Sequence, residues 1–455
     1  MQEIKERIAR SPMGVYQWII VAMCVLLNAQ VGFDISAVAY GSSGISEEFG
    51  LTGTELGSVI SAGLLGIVFG AFVLSPLADR FGRRICIQLG LALTAIGMFM
   101  CAAADSPLSL VIWRFIIGIG IGGVTASINV VVAEYTNPRW RAAGIGIYTA
   151  GFGLGAMVGG IAAAGLLETF GWRAIFVLGA INSLVSMALA LALLPESIEF
   201  LAQRKGERAL GQINRILRRL RYPAVSSVAD GAAPLKSDGF AMGSAEISSG
   251  VFAQIRALFS AEYRSRTILL WLGFFTAMFA FYFLTGWTPR LATIVGHTPS
   301  TSALVGSLLS IGGSIGAVGF GLVVLRTQGT LRMLMIFSGL GGIVFIVLGL
   351  VISQLPLLLV FGFLAGLLSN GVFVGLFTLA PELYSSRVRV TGVGWANGVG
   401  RTGSMLAPFI VGILVDASVP VAVLYALGGV ILIVTTVVTA AFVREQRRYA
   451  VAVPV

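Results

Sequence analysis

The sequence predicts an all-α polytopic membrane protein in which twelve membrane-spanning helices form two six-helix bundles. Three observations predict it. Apolar residues make up 57% of the 455 residues and charged residues 11%, with a mean hydropathy of +0.93; a water-soluble chain of that composition would lack the polar side chains to cover its surface. Twelve apolar runs are long enough to cross about 30 Å of hydrocarbon, which takes roughly 20 residues. Basic residues cluster at alternate ends of those runs, the asymmetry that orients membrane helices.

The runs lie at 16–40, 54–75, 85–104, 107–132, 142–166, 174–194, 267–288, 301–325, 332–353, 356–379, 391–415 and 419–443. The polar stretch Pro195–Arg266 separates six from six. The expected organisation is a first bundle over 1–194, a cytoplasmic linker over 195–266 and a second bundle over 267–455. Of the 30 Lys and Arg residues, 26 fall on one side: the N-terminus, the loops after the second, fourth, eighth and tenth spans, the linker and the C-terminus. That side is the cytoplasmic one, so both termini are expected inside a bacterial cytoplasmic (inner) membrane. The net charge of +10 follows this orientation and does not call for nucleic acid. The N-terminus is polar up to Ser11 and the run after it is too long for a leader, so it reads as a first span.

The first span, YQWIIVAMCVLLNAQVGFDISAVA, carries Asp34, with Gln30 one turn earlier on the same face. A carboxylate at that depth is costly unless paired, protonated or facing water. It reads as a proton or substrate site, or as a residue near the helix end that reaches the interface. The second span ends in the loop SPLADRFGRR, 75–84. Gly82 permits a tight turn there. Asp79, with Arg80 and Arg83 beside it, suits a latch that accepts hydrogen bonds from a helix end or pairs with an arginine; simple topology-setting charge is the alternative.

The fourth span, WRFIIGIGIGG, carries Arg114. The first span runs outward and the fourth inward, which places Asp34 and Arg114 at similar depth in the outer half of the membrane. They are expected to pair or to share waters, since each lowers the cost of burying the other. The alternative is an Arg114 that reaches outward to the interface.

In the linker, Leu201, Leu210, Ile213, Ile216, Leu217 and Leu220 recur at helical spacing among arginines. That pattern predicts a short amphipathic helix lying on the inner membrane surface. Residues 226–250 are rich in Ser, Ala and Gly and read as a flexible connector.

The halves repeat at an offset of 248: Glu134 onto Glu382, Arg139 onto Arg387, Arg141 onto Arg389, and Gly118, Gly123, Gly144, Gly146 and Gly155 onto Gly366, Gly371, Gly392, Gly394 and Gly403. Two halves related this way imply a parallel repeat with the substrate path between them. Glu134, Arg141, Glu382 and Arg389 are then candidates for charge networks that favour one conformation.

In the second half, Arg401 sits near the middle of the eleventh span, GVGWANGVGRTGSMLAP, and needs an anion or a wet cavity. A carboxylate substrate would supply the anion through a bidentate pair; a backbone carbonyl is the alternative. The seventh span, WLGFFTAMFAFYFLTGWTPRL, carries Phe275, Phe279, Tyr282 and Phe283, several of them on one face. Rings so placed suit stacking on an aromatic substrate, or plain packing. Trp395, Asn397 and Gln30 complete the candidates for substrate binding.

With these residues in view, the loop 75–84 resembles the signature of the major facilitator superfamily, with Ser75 in place of its leading Gly. Arg114, Gly118, Gly120 and Gly122 resemble a second motif of that superfamily, associated with proton coupling. GFGLGAMVGG, 151–160, resembles a third, typical of proton-exchanging exporters, but Ala156 stands where that motif has Pro. LPESIEFLAQRKGERAL and the seventh and eleventh spans are similar to the aromatic acid:proton symporter family. The resemblance implies uptake of benzoate-type carboxylates with protons, by alternating access. The family's Asp-Gly-x-Asp pattern reads Val31-Gly32-Phe33-Asp34 here, which reduces the proton site to Asp34. A sugar or polyol symporter, another organic-anion symporter and a drug:proton antiporter are the alternatives.

The remaining expectations are negative or general. The single histidine, His297, cannot form a metal site alone, and no phosphate-binding Walker loop is present. No cofactor is expected; the proton gradient is the energy source. Cys24, Cys86 and Cys101 lie in apolar runs and read as packing residues. The partners are a small aromatic carboxylate, protons and the lipid bilayer, and the chain is expected to work as a monomer, not as an enzyme.

Overall fold

The computed structural model describes residues 7–8, 11–204, 206–225, 256, 258–260, 263–327, 329–384 and 388–452. The connector expected over 226–250 lies outside them, as does Arg387. Every predicted span is a helix. The first six are α1 (Val15–Phe49), α2 (Gly53–Phe81), α3 (Arg83–Ala102), α4 (Pro107–Tyr135), α5 (Pro138–Phe170) and α6 (Arg173–Leu193). Two short helices follow, α7 (Ile198–Gln203) and α8 (Glu207–Arg219). The last six are α9 (Arg264–Ile294), α10 (Pro299–Thr327), α11 (Thr330–Val351), α12 (Leu355–Leu379), α13 (Arg389–Asp416) and α14 (Val421–Ala452). Among the described residues, 12 helices are long and apolar enough to cross a membrane. Their outward faces carry large apolar side chains such as Phe72, Leu108 and Leu350, as contact with lipid tails requires.

Two compact units divide the chain: Met1–Gly41 with Ala62–Leu235, and Ser42–Ser61 with Lys236–Val455. The turn between α1 and α2 thus packs with the second unit. Asp416, the last residue of α13, caps α2 there: its carboxylate accepts from the Gly53 and Thr54 N–H groups and from the Thr54 hydroxyl.

The sequence repeat reappears as a repeat of contacts. Gly118 of α4 leaves no room for a Cβ against the Gly63 carbonyl of α2, and Gly366 of α12 leaves none against the Leu309 carbonyl of α10. Gly155 of α5 meets the Ala29 carbonyl of α1 in the same way, and its repeat mate Gly403 of α13 meets the Phe275 carbonyl of α9. Close backbone approach through small residues is how helices associate where lipid supplies no hydrophobic drive.

Two expectations need correction. The first helix continues to Phe49, nine residues beyond the predicted 40. The linker helix α8 does not rest its apolar face on lipid: Ala209, Ile213, Ile216 and Leu217 are buried within the protein. Arg219 donates to the Tyr16 hydroxyl at 3.1 Å, and Arg7 to the Pro223 carbonyl at 3.0 Å, tying the segment to the start of the chain. The three cysteines are free and buried, as packing residues are.

Candidate functional site

Close packing of α1 on α5 sets the position of Asp34. Gly32, two residues before it, abuts the Phe152 carbonyl, and one turn earlier Ala29 meets Gly155. Asp34 is thereby held at 0% exposure and Gln30 at 1%. Gln30 Nε2 donates to Asp34 Oδ1 at 2.7 Å and to Ser183 Oγ of α6 at 2.8 Å, with the Gly179 carbonyl at 3.4 Å. Arg114 is also buried, at 3% exposure, so it does not reach outward to the interface. Gly63 of α2 makes room for its guanidinium. Arg114 Nη1 donates to the main-chain carbonyl of Asp34 at 2.9 Å rather than to its carboxylate. Among the described residues, Asp34 Oδ2, Gln30 Oε1 and Arg114 Nε are buried without a hydrogen-bond partner. Acid and guanidinium therefore share one enclosed site in the first unit. Gln30, assigned above to substrate, belongs to that site.

The second site is built where α13 touches α9. Gly400 packs on Met278 and Gly403 on the Phe275 backbone, so the residue between them with a long side chain, Arg401, has to find room along α9. Arg401 is half-buried, and its Nη1 lies 3.4 Å from the Tyr282 hydroxyl, a long contact. Asn397 stands one turn before Arg401 on the same face, and its Oδ1 is buried without a partner among the described residues. Phe279, one turn from Tyr282, is 6% exposed and pairs with Phe275 at a ring separation of 6.2 Å. Tyr282 occupies the position that the repeat offset of 248 assigns to Asp34, so corresponding points of α1 and α9 carry the acid and the phenol. Two of the predicted substrate residues fall elsewhere. Phe283 is core, 1% exposed against Phe345 and Tyr425. Trp395 is 44% exposed and stacks on Trp271, well round the helix from Arg401.

The loop between α2 and α3 turns at Gly82, whose φ of 111° is open to glycine alone and whose missing Cβ is replaced by the Glu196 carboxylate. Glu196 Oε1 accepts from the Arg84 N–H at 3.2 Å, placing a negative charge on the N-terminus of α3. The next residue, Ser197, donates to Glu134 Oε1 at 2.8 Å. Asp79 pairs with Arg83 of its own loop at 3.2 Å. Its side chain is 61% exposed, so the pair stabilises little, about 0–1 kcal/mol. Arg80 lies 5.4 Å from the Phe81 ring, and its carbonyl accepts from Arg204 at 3.3 Å. Arg141 is exposed in the first turn of α5. In the second half, Glu382 is exposed on the 3-10 turn Ala380–Leu383, and Arg389 Nε lies 3.4 Å from the Tyr384 carbonyl.

The model of the Major Facilitator Superfamily matches residues 22–350 and 270–454. The chain belongs to the major facilitator superfamily. Within it, the chain is 32% identical to the 4-hydroxybenzoate transporter PcaK of Acinetobacter baylyi over 89% of this chain and 86% of that one. It is 31% identical to the Gallate transporter of Pseudomonas putida over 94% of this chain and 92% of that one. Among solved structures, a D-xylose-proton symporter superposes with a TM-score of 0.69 at 15% identity, covering 93% of this chain and 97% of that one, a likeness in fold. This superfamily member is a multi-pass membrane transporter and not an enzyme.

Two residues of the sites, and one helix cap, escape a reading of the sequence. Ser183 is one small polar residue in an apolar helix, and only its spacing of three from Ser186 marks a polar face. Glu196 sits in a Pro-Glu-Ser turn whose partner, Gly82, is distant in sequence. Asp416 looks like an ordinary charge at a helix end.

Proposed function

We propose that the protein takes up a small aromatic carboxylate together with protons, by alternating access, across a bacterial cytoplasmic membrane. The observation that carries the proposal is the Asp34 site. A carboxylate at 0% exposure with one donor on one oxygen and, among the described residues, none on the other is costly to hold as the anion and gains from a proton. Protonation from one side and release to the other is the use such a group has in a transporter. Arg114 stays beside it as a fixed positive charge that stabilises the anion once the proton leaves.

The substrate class rests on the relatives and on the Arg401 site. The two relatives are named for 4-hydroxybenzoate and gallate, rings that carry a carboxylate and phenolic hydroxyls. Arg401 suits the carboxylate, with two parallel N–H donors. Phe279 and Tyr282 suit the ring, and the unpartnered Asn397 Oδ1 suits a phenolic hydroxyl. The loop 75–84, Glu134, Arg141, Glu382 and Arg389 serve the change of conformation. No cofactor takes part, and the protein acts as a monomer.

A thermal-shift screen of the purified protein tests the substrate class. 4-Hydroxybenzoate, gallate, gentisate and benzoate are expected to raise the melting temperature, because a ligand that binds only the folded state stabilises it by about 2.7 kcal/mol at a hundred times its Kd. Xylose is expected to leave it unchanged. Stabilisation by xylose and by none of the acids would return the sugar reading.

A further inference from the structure

Resting on the proton-coupling reading, we propose that Gln30, anchored by Ser183, is the positioning residue that serves Asp34 in both of its protonation states and so sets the pH at which Asp34 gives up its proton.

A buried acid that cycles between charged and neutral forms needs a partner for each. The anion needs a donor, and the neutral acid needs an acceptor for its O–H. A primary amide carries both groups on one planar unit. Gln30 Nε2 donates to Asp34 Oδ1 at 2.7 Å. Gln30 Oε1 is buried and unpartnered among the described residues, as is Asp34 Oδ2, so the amide holds an unused acceptor that the protonated acid could donate to. Turning the amide about its last torsion exchanges donor for acceptor without moving either helix. Ser183 fits that exchange, because its hydroxyl accepts from Nε2 at 2.8 Å now and can donate to Oε1 after the turn. Ser183 is itself 0% exposed, so water does not compete for these bonds.

Among the described residues, few other charged or titratable groups face Asp34. Arg114 of α4 reaches its carbonyl, and Cys101 of α3 lies near the guanidinium. Gly179 and Ser183 of α6 carry no titratable group, and neither do Phe152, Gly155 and Gly159 of α5, which pack against Gly32, Ala29 and Phe33 of α1. Gln30 is thus the group that tunes the acid against the fixed charge of Arg114.

The sign follows from the two bonds. A hydrogen bond to the anion is charge-assisted and about twice as strong as one from the neutral acid. Removing the amide therefore costs the anion more, and the proton is held to higher pH. Infrared titration of the purified protein reads this directly through the carbonyl stretch of a protonated carboxyl group, assigned to Asp34 by its loss in Asp34→Asn. Gln30→Met keeps the volume and deletes the amide; its midpoint is expected about one pH unit or more above wild type, a tenfold or larger gain in proton affinity. Ser183→Ala is expected to shift it the same way by less, since Gln30 keeps its contact with Oδ1. Ser186→Ala, a buried hydroxyl one turn along α6, is expected to leave it in place. An Asp34 band whose midpoint is unchanged or lowered in Gln30→Met and Ser183→Ala would overturn the role of Gln30 and leave the proton reading standing. A wild-type protein with no band that depends on Asp34 at any pH would overturn the proton reading itself.

Discussion

Asp34→Asn is expected to abolish accumulation of the aromatic acid against its gradient while leaving exchange of labelled for unlabelled substrate in place. Asparagine keeps the shape of the side chain and its contact with Gln30, so the helices around it are not asked to repack. What it cannot do is carry a proton. With Val31 at the first position of the Asp-Gly-x-Asp pattern that this span resembles, the proposal gives Asp34 one proton, and one proton with one monovalent anion makes an electrically neutral cycle. Each unit of pH difference then supports about tenfold accumulation, since one unit is worth about 1.4 kcal/mol. In proteoliposomes with an imposed pH gradient, wild-type protein is expected to reach that ratio and Asp34→Asn a ratio of about one. Accumulation in the variant that still follows the gradient would remove Asp34 from the coupling.

Arg401→Gln is expected to weaken binding of the acid by about 2–5 kcal/mol, the usual cost of truncating one partner of a hydrogen-bonded charge pair. That is a roughly 30-fold or larger rise in Kd, to be read by calorimetric titration of the purified protein with 4-hydroxybenzoate. Tyr282→Phe removes a single neutral hydroxyl and is expected to cost only about 0.5–1.5 kcal/mol. Phe283→Leu serves as the contrast. Its ring packs against Phe345 and Tyr425, so it is expected to lower the melting temperature and leave Kd unchanged. A Kd unaltered in Arg401→Gln would place the carboxylate elsewhere.

The fold was legible because its determinants are local. Apolar runs, basic loops and the repeated glycines can be read along the chain, and each run became a helix. The nearness of Asp34 and Arg114 was legible too, because membrane depth adds a coordinate that soluble sequences lack. Depth does not say which atoms meet, and the guanidinium bonds the Asp34 carbonyl rather than its carboxylate. Helical spacing put Gln30 on the face of Asp34 but could not tell substrate from α6 as its neighbour. On α9, spacing grouped four rings, and only the packing of α11 and α14 separates Phe283 from Phe279 and Tyr282. In α8 a strong amphipathic pattern predicts a helix on the membrane surface, because the sequence does not reveal that other protein segments cover the apolar face.

The most direct test of proton coupling is the proton flux that accompanies substrate entry in wild-type protein. Proteoliposomes in weakly buffered medium would be given 4-hydroxybenzoate, with external pH and internal label followed together. The predicted result is an alkaline shift outside that matches substrate entry one for one and is absent in Asp34→Asn. Substrate entry at the full rate with no change in external pH would contradict it.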